Sequence, residues 1–168
     1  MALMKIDEYY PDYTQDVFGG NDLINYSVYA DNGDDKVGSV ENILVDEETG
    51  RFRYLIVDTG FWVFGKKVLV PVGLARLDDD DKRVYVARLT KQQVEDLPEF
   101  TENLAINQDY EERVRGVYRP LVGTTAAVPD YNYGIYDYLQ EPYFYDMYGL
   151  GYPTFGAYEQ RLLARRER

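Results

Sequence analysis

Asp46 and Asp58 each close a run of apolar residues, and paired carboxylates can divide acid and base roles between them. Nothing beside either one in sequence supplies a partner, so an aspartate that caps its own turn is the simpler chemistry. Asp78, Asp79, Asp80 and Asp81 form an unbroken acidic run, and carboxylate oxygens are the ligands a hard cation such as Ca²⁺ takes. The run lacks the alternating ligands, the glycine and the distal glutamate of an EF-hand loop. It reads as a solvated hairpin tip and assigns no metal ligand. Phe61, Trp62 and Phe64 make a compact aromatic cluster. A second aromatic set, with Tyr143, Tyr145 and Tyr148 at its centre, lies in the last third of the chain. Aromatic side chains of this kind anchor protein interfaces, and these six residues are the candidate interaction site.

The residue types that are missing narrow the chemistry further. The chain has no cysteine and no histidine, which removes the usual zinc sites, thiol catalysis and the Ser-His-Asp arrangement. Serine occurs only at Ser27 and Ser39. The expectation is a protein that is not an enzyme, with no catalytic residue, no cofactor and no metal.

Charge divides the 168 residues unevenly. Residues 1–109 hold 22 of the 30 acidic side chains against 11 of the 18 basic ones, so they carry -11 of the net charge of -12. A phosphate backbone is bound through lysine and arginine that release its counterions, which disfavours nucleic acid as a ligand. Basic proteins or dissolved cations suit such a surface better. The N-terminus turns acidic at once and has no apolar stretch of signal-peptide length. No run approaches the roughly 18 apolar residues of a membrane span. The reading is a soluble, cytoplasmic protein.

The elements that would position these groups follow from the spacing of apolar residues. Residues 23–29 read as a first strand, and residues 31–35 supply turn chemistry. In residues 37–46 the apolar positions slip from a spacing of three to a spacing of two, which places a β-bulge near Glu41 and Asn42. A tight turn at 47–50 leads to a strand over 51–58 with Phe52, Tyr54 and Ile56 on one face and Leu55 and Val57 on the other. Both faces are apolar at the strand's end, which makes that end central. Residues 68–72 form another, and Pro71, which cannot donate to a ladder, puts it at an edge or lets it pair on one side only at that point. The acidic tip then closes a hairpin onto residues 83–89. Thr90 and Gln93 match a capping box that starts a short helix stopped by Pro98. Val40, Ile43, Val45, Tyr54, Ile56, Val68, Val70, Val84 and Val86 are the expected core.

Residues 101–168 differ in kind. Asn107 is placed to cap a helix with Tyr110, Val114 and Val117 on one face and with Glu111 and Arg115 paired at i,i+4. Residues 119–129 read as a linker. Residues 131–158 then hold nine tyrosines with no helical or strand period. Three roles fit them: packing over the barrel with hydroxyls near water, folding on a partner, or a sticky disordered tail. Packing or partner binding suits their aromatic content best. The basic terminus, residues 161–168, offers weak electrostatic contact to an anionic membrane surface, with too small an apolar face to anchor there.

Three runs carry a family resemblance: residues 36–58 (KVGSVENILVDEETGRFRYLIVD), 64–72 (FGKKVLVPV) and 89–98 (LTKQQVEDLP). In this order they resemble the PRC-barrel family, whose fold occurs in the photosynthetic reaction-centre H subunit and at the C-terminus of a ribosome maturation factor. The resemblance implies an all-β fold, a small β-barrel over residues 20–100 ending in a short helix. An arm of residues 1–19 precedes it, and a Tyr-rich, partly helical or irregular extension over residues 101–168 follows. It also implies a link to photosynthesis by kinship. About 20 residues precede the barrel, in place of the membrane helix or second β-domain of those two relatives, so neither role carries over directly. The expected function is an adaptor or scaffold that binds a protein partner, either a larger assembly or a second copy in a homodimer. The alternative is a small-ligand or cation-binding protein that uses acids and tyrosines between barrel and extension.

Overall fold

The computed structural model describes residues 3–20, 22–30, 36–48, 50–60, 65–78, 80–86, 91–101, 108–118, 161–162 and 164. Seven strands form one sheet: β1 (Leu3–Lys5), β2 (Ser27–Ala30), β3 (Lys36–Asp46), β4 (Phe52–Asp58), β5 (Lys67–Pro71), β6 (Ala75–Asp78) and β7 (Arg83–Val86). Their lateral order is β5-β4-β3-β2-β7-β6, with β1 beside the far end of β3. Short helices α1 (Ile6–Tyr9) and α2 (Tyr13–Asp16) precede β2, while α3 (Lys91–Asp96) and α4 (Gln108–Tyr118) follow the sheet.

The centre of the sheet obeys the sequence pattern. The β3–β4 register slips between Val40 and Asn42, where the change in apolar spacing calls for a bulge. A Cβ at Gly38 would run into the Asp58 carbonyl of β4, so glycine is what lets the two strands approach there. Gly50 closes the β3–β4 turn with a φ of 75°, a left-handed conformation that glycine adopts without strain. Its N–H donates to the Asp46 carbonyl at 2.7 Å.

Curvature follows from connectivity. Strands β5 and β6 lie at opposite ends of the lateral order, yet Val72–Leu74 alone join them in a single 3₁₀ turn. Five strand spacings in a flat sheet would separate them by about 24 Å, whereas a 3₁₀ connection of this length advances about 8 Å. The sheet must therefore curl until its edges approach. No ladder joins β5 to β6 among the described residues, so the sheet is barrel-like and not closed by hydrogen bonds. The β5 edge is covered in another way. The Phe100 N–H donates to the Lys67 carbonyl at 2.7 Å, the Tyr118 hydroxyl donates to the Leu69 carbonyl at 2.7 Å, and Pro71 has no N–H to leave open. Proline thus sits on an edge strand, as its chemistry requires.

All nine expected core residues are buried, but they do not share one core. Cross-strand partners point to the same face. The registers Ile43↔Leu55↔Val70 and Val40↔Val57↔Val68 define one face, and Leu44↔Tyr54↔Pro71 and Asn42↔Ile56↔Leu69 define the other. Tyr54 and Ile56 therefore lie across the sheet from Val40, Ile43, Val68 and Val70. The Tyr54 face is sealed by α4, whose Tyr110, Val114 and Tyr118 are buried. Phe18 packs at its Phe52 end with ring centroids 6.4 Å apart. The first 19 residues place Ile6, Tyr13, Val17 and Phe18 in the core. Farther along, Leu162 is buried and Arg161 donates to the Val17 carbonyl at 3.1 Å. Residues 108–118 and 161–162 are thus docked against the sheet and the N-terminal segment.

Candidate interaction surfaces

Three polar constellations stand on this frame. The first lies beneath α4. The Tyr54 hydroxyl donates to Glu111 Oε1 at 2.8 Å, while Arg115 donates through Nε to the Tyr54 hydroxyl at 2.9 Å and through Nη2 to Glu111 Oε1 at 2.9 Å. The i,i+4 pair expected on this helix forms, but it faces the sheet and not water: Arg115 is 0% exposed. Each charge is matched by a hydrogen-bonding neighbour, which is the condition for tolerating an ion pair out of water. Burial pushes the Tyr54 hydroxyl well above its ordinary pKa, with Arg115 pulling the other way. Burial does the same to Tyr118 and pushes Tyr110 up to about 12. This network ties α4 to β4.

The second is a cleft of about 340 Å³ lined by Asp58, Gly65, Lys66, Lys67, Glu99, Phe100 and Thr101. Its lysines are engaged. Lys66 Nζ donates to the carbonyls of Glu95 and Leu97 at 2.9 and 2.6 Å, capping the end of α3, and Lys67 Nζ pairs with Glu41 at 2.6 Å. Asp58 Oδ1 accepts from the Gly60 N–H at 2.8 Å, and Asp46 Oδ1 accepts from the Glu48 N–H at 2.8 Å. Both aspartates cap their turns. They are not a catalytic pair, because Asp58 faces Ser39 across the ladder and Asp46 lies seven residues farther along β3, about 23 Å away. At the acidic tip, Asp78 Oδ1 accepts from the Asp81 N–H at 3.1 Å, again a turn cap.

The third lies on the outer face of β2, β7 and β6. Alternation is clean in β2 and β7, where Val28, Ala30, Val84 and Val86 are buried and Ser27, Tyr29, Arg83 and Tyr85 are half-exposed; in β6 Ala75 is buried, while Arg76, Leu77 and Asp78 are half-exposed. Strands β2 and β7 pair in parallel and β7 pairs antiparallel with β6, so the outward residues form two rows of three. One row is Ser27, Arg83, Asp78 and the next is Tyr29, Tyr85, Arg76. The rings of Tyr29 and Tyr85 lie 6.1 Å apart, the Arg83 guanidinium sits 4.4 Å over Tyr29 and that of Arg76 sits 4.5 Å over Tyr85. Stacking holds each guanidinium flat on its ring.

Phe61, Trp62, Phe64, Tyr143, Tyr145 and Tyr148, the interaction residues expected from sequence, lie outside the described residues, as do Thr90, Asn107 and the linker at 119–129. Sequence reasoning missed the Tyr–Arg rows. Polar and aromatic residues alternating with Val28, Val84 and Val86 mark them as outward, but nothing local tells that β2 neighbours β7.

Residues 15–93 match the PRC-barrel domain family. An uncharacterized protein of Deinococcus radiodurans is 46% identical over 94 residues, covering 54% of this chain and 33% of that protein. The chain thus spans about a third of the length of the curated relative it matches. The described part of the extension, including α4, lies beyond the matched domain.

Proposed function

We propose that this chain, whose residues 15–93 are a PRC-barrel domain, is a non-enzymatic adaptor that joins proteins through the outer face of β2, β7 and β6. The observation that carries this reading is the pair of stacked Tyr–Arg units left half-exposed on a sheet whose other half is covered on both faces. Tyrosine and arginine are the residues most enriched in recognition surfaces. A stacked guanidinium loses little further side-chain freedom when a partner binds. The Glu111–Arg115 pair and the turn-capping Asp46 and Asp58 support the same reading, since each holds an element or a turn. A cytoplasmic location fits an adaptor with no helix long and apolar enough to cross a membrane among the described residues.

The test is affinity capture from the native cell with the full chain and with a Tyr29→Ser/Tyr85→Ser variant, read by mass spectrometry. Proteins held by the wild type and lost by the variant, with melting temperatures matched, support the adaptor. Capture of the bait alone, or of the same proteins by both, overturns it.

A further inference from the structure

The N-terminal segment adds a strand from outside the matched region. Strand β1 and helix α1 lie before residue 15, where the family match begins, and β1 completes the far end of β3 through Leu3↔Asp46, Met4↔Val45 and Lys5↔Leu44. Helices α1 and α2 are one turn each, too short to hold their shape alone in water. The segment takes its form from the surface it lies on, where Ile6, Tyr13, Val17 and Phe18 are buried. Two left-handed glycines follow, Gly19 at a φ of 64° and Gly20 at a φ of 95°. A helix end needs one such residue, and a consecutive pair lets the chain change direction there at little cost. We infer that residues 3–18 form an exchangeable arm, hinged at Gly19 and Gly20, that seats β1 on Leu44–Asp46 of a second copy of this chain.

The occupant follows from fit. The edge at Leu44–Asp46 accepts Leu3–Lys5 in the chain's own fold, and a second copy brings the same segment with the same register and the same buried side chains. Exchange therefore loses no contact and makes none that is foreign. The balance rests on the hinge and on the freedom lost in joining two chains, and reciprocal exchange closes a two-fold pair. The fold also carries a latch. Arg161 Nη1 donates to the Val17 carbonyl at 3.1 Å and lies 3.6 Å from where a Cβ on Gly19 would stand, so the C-terminal segment pins the arm at its hinge. With Ile6, Tyr13, Val17 and Phe18 to unseat and this latch to release, exchange is slow and concentration-dependent. It uses no residue of the outer face of β2, β7 and β6, and so is independent of the proposed adaptor surface.

Introduced thiols read this directly, since the chain has no cysteine. Full-length Met4→Cys and Val45→Cys chains are mixed at high concentration in about 0.15 M salt, which screens the repulsion between chains of net charge -12, then incubated below the melting temperature and oxidised. Met4 faces Val45 across the ladder, so the arm of one variant lying on β3 of the other brings the two thiols within bonding distance. The expected result is a disulfide-linked pair, well above what either variant gives alone and rising with concentration. The Met4→Cys/Val45→Cys double variant, kept dilute, closes the same bond within one chain. A mixture no richer in linked pairs than its components, with that internal bond formed, overturns the exchange. Sedimentation of cysteine-free chains gives a second reading. A Cβ on Gly20 would meet only the end of Gln15, at 3.7 Å, so Gly20→Val tests conformation and not space. Valine resists a φ of 95° and favours an extended hinge, so the dimer fraction should rise about tenfold or more over the wild type. A Gly20→Val chain no more dimeric than the wild type overturns the hinge. Arg161→Ala speeds the appearance of linked pairs, and an unchanged rate overturns the latch. A failed cross-link leaves the adaptor standing, and a failed capture from the cell leaves the exchange standing.

Discussion

The two halves of the sheet solve the same packing problem in opposite ways. Around β3, β4 and β5 most residues of both faces are apolar and buried, and the second face is sealed by a helix from beyond the matched region, fixed through Tyr54, Glu111, Arg115 and Tyr118. Around β2, β7 and β6 the inner residues are apolar and the outer ones polar or aromatic, with arginines stacked on tyrosines in reach of water. Strands buried on both faces have no surface to offer a partner. Strands buried on one face have one to spare, and the residues placed there are of the kind that recognition uses. On the proposed reading, stability falls to one half and association to the other, and substitutions can test that division.

The largest effect is expected from Arg115→Ala. Removing the guanidinium leaves Glu111 charged and buried without its cation, and breaking a buried pair by deleting one member costs about 3–5 kcal/mol. Denaturant unfolding of the full chain measures this. A loss under about 1 kcal/mol would show that α4 is not held by this network. Ile56→Ala, on the same face, is expected to cost about 2–5 kcal/mol through lost transfer energy and the cavity left behind.

An alkaline titration probes the same half without mutation. Tyr54, Tyr110 and Tyr118 have hydroxyls raised by burial above their unfolded value. Their contribution is fully present below a pH of about 10, where the unfolded chain's tyrosines are still neutral. It is lost as pH climbs beyond that, because the unfolded state then sheds protons that the folded state retains. Stability should fall steeply between pH 10 and about 12, and part of the tyrosinate absorbance should appear only with unfolding. Coincidence of all the absorbance with a single titration near pH 10, in the folded protein, would place these hydroxyls in water.

How far the chain discloses this division by itself depends on whether the signal is local. The bulge near Asn42, the edge position of Pro71 and the two-sided burial of β4 could all be read in sequence, because each follows from side chains within one strand. The nine core residues were also readable as buried, though not as members of two faces. That split depends on α4, whose Glu111 and Arg115 look like a solvent-facing pair until the sheet is placed against them. Strand β1 is three residues long and carries too short a pattern to signal itself. The parallel pairing of β2 with β7 joins Tyr29 to Tyr85, and no turn residue encodes a contact at that separation. For that reason the Tyr–Arg face could not be found from sequence, while the aromatic residues first singled out, Phe61, Trp62, Phe64, Tyr143, Tyr145 and Tyr148, stood out by local density alone.

The smallest effect on stability, and the sharpest test of the contrast, belongs to Tyr85→Ser. The ring contributes one cross-strand aromatic pair with Tyr29, worth roughly 0.2–1 kcal/mol, and one exposed cation–π contact with Arg76, worth about 0.5–1 kcal/mol. Both contacts are partly replaced by water when the ring is removed, and serine leaves no cavity on an outer face. The expected loss is therefore about 1 kcal/mol or less, against about 3–5 kcal/mol for Arg115→Ala. For association the ranking inverts. The serine removes an aromatic anchor from the proposed docking face, so affinity capture should show partner association weakened at unchanged melting temperature. A folded Arg115→Lys variant, altered only under α4, should keep it. If Tyr85→Ser destabilised the chain as strongly as Arg115→Ala, the outer face would be structural, and the division of labour between the two halves would be wrong.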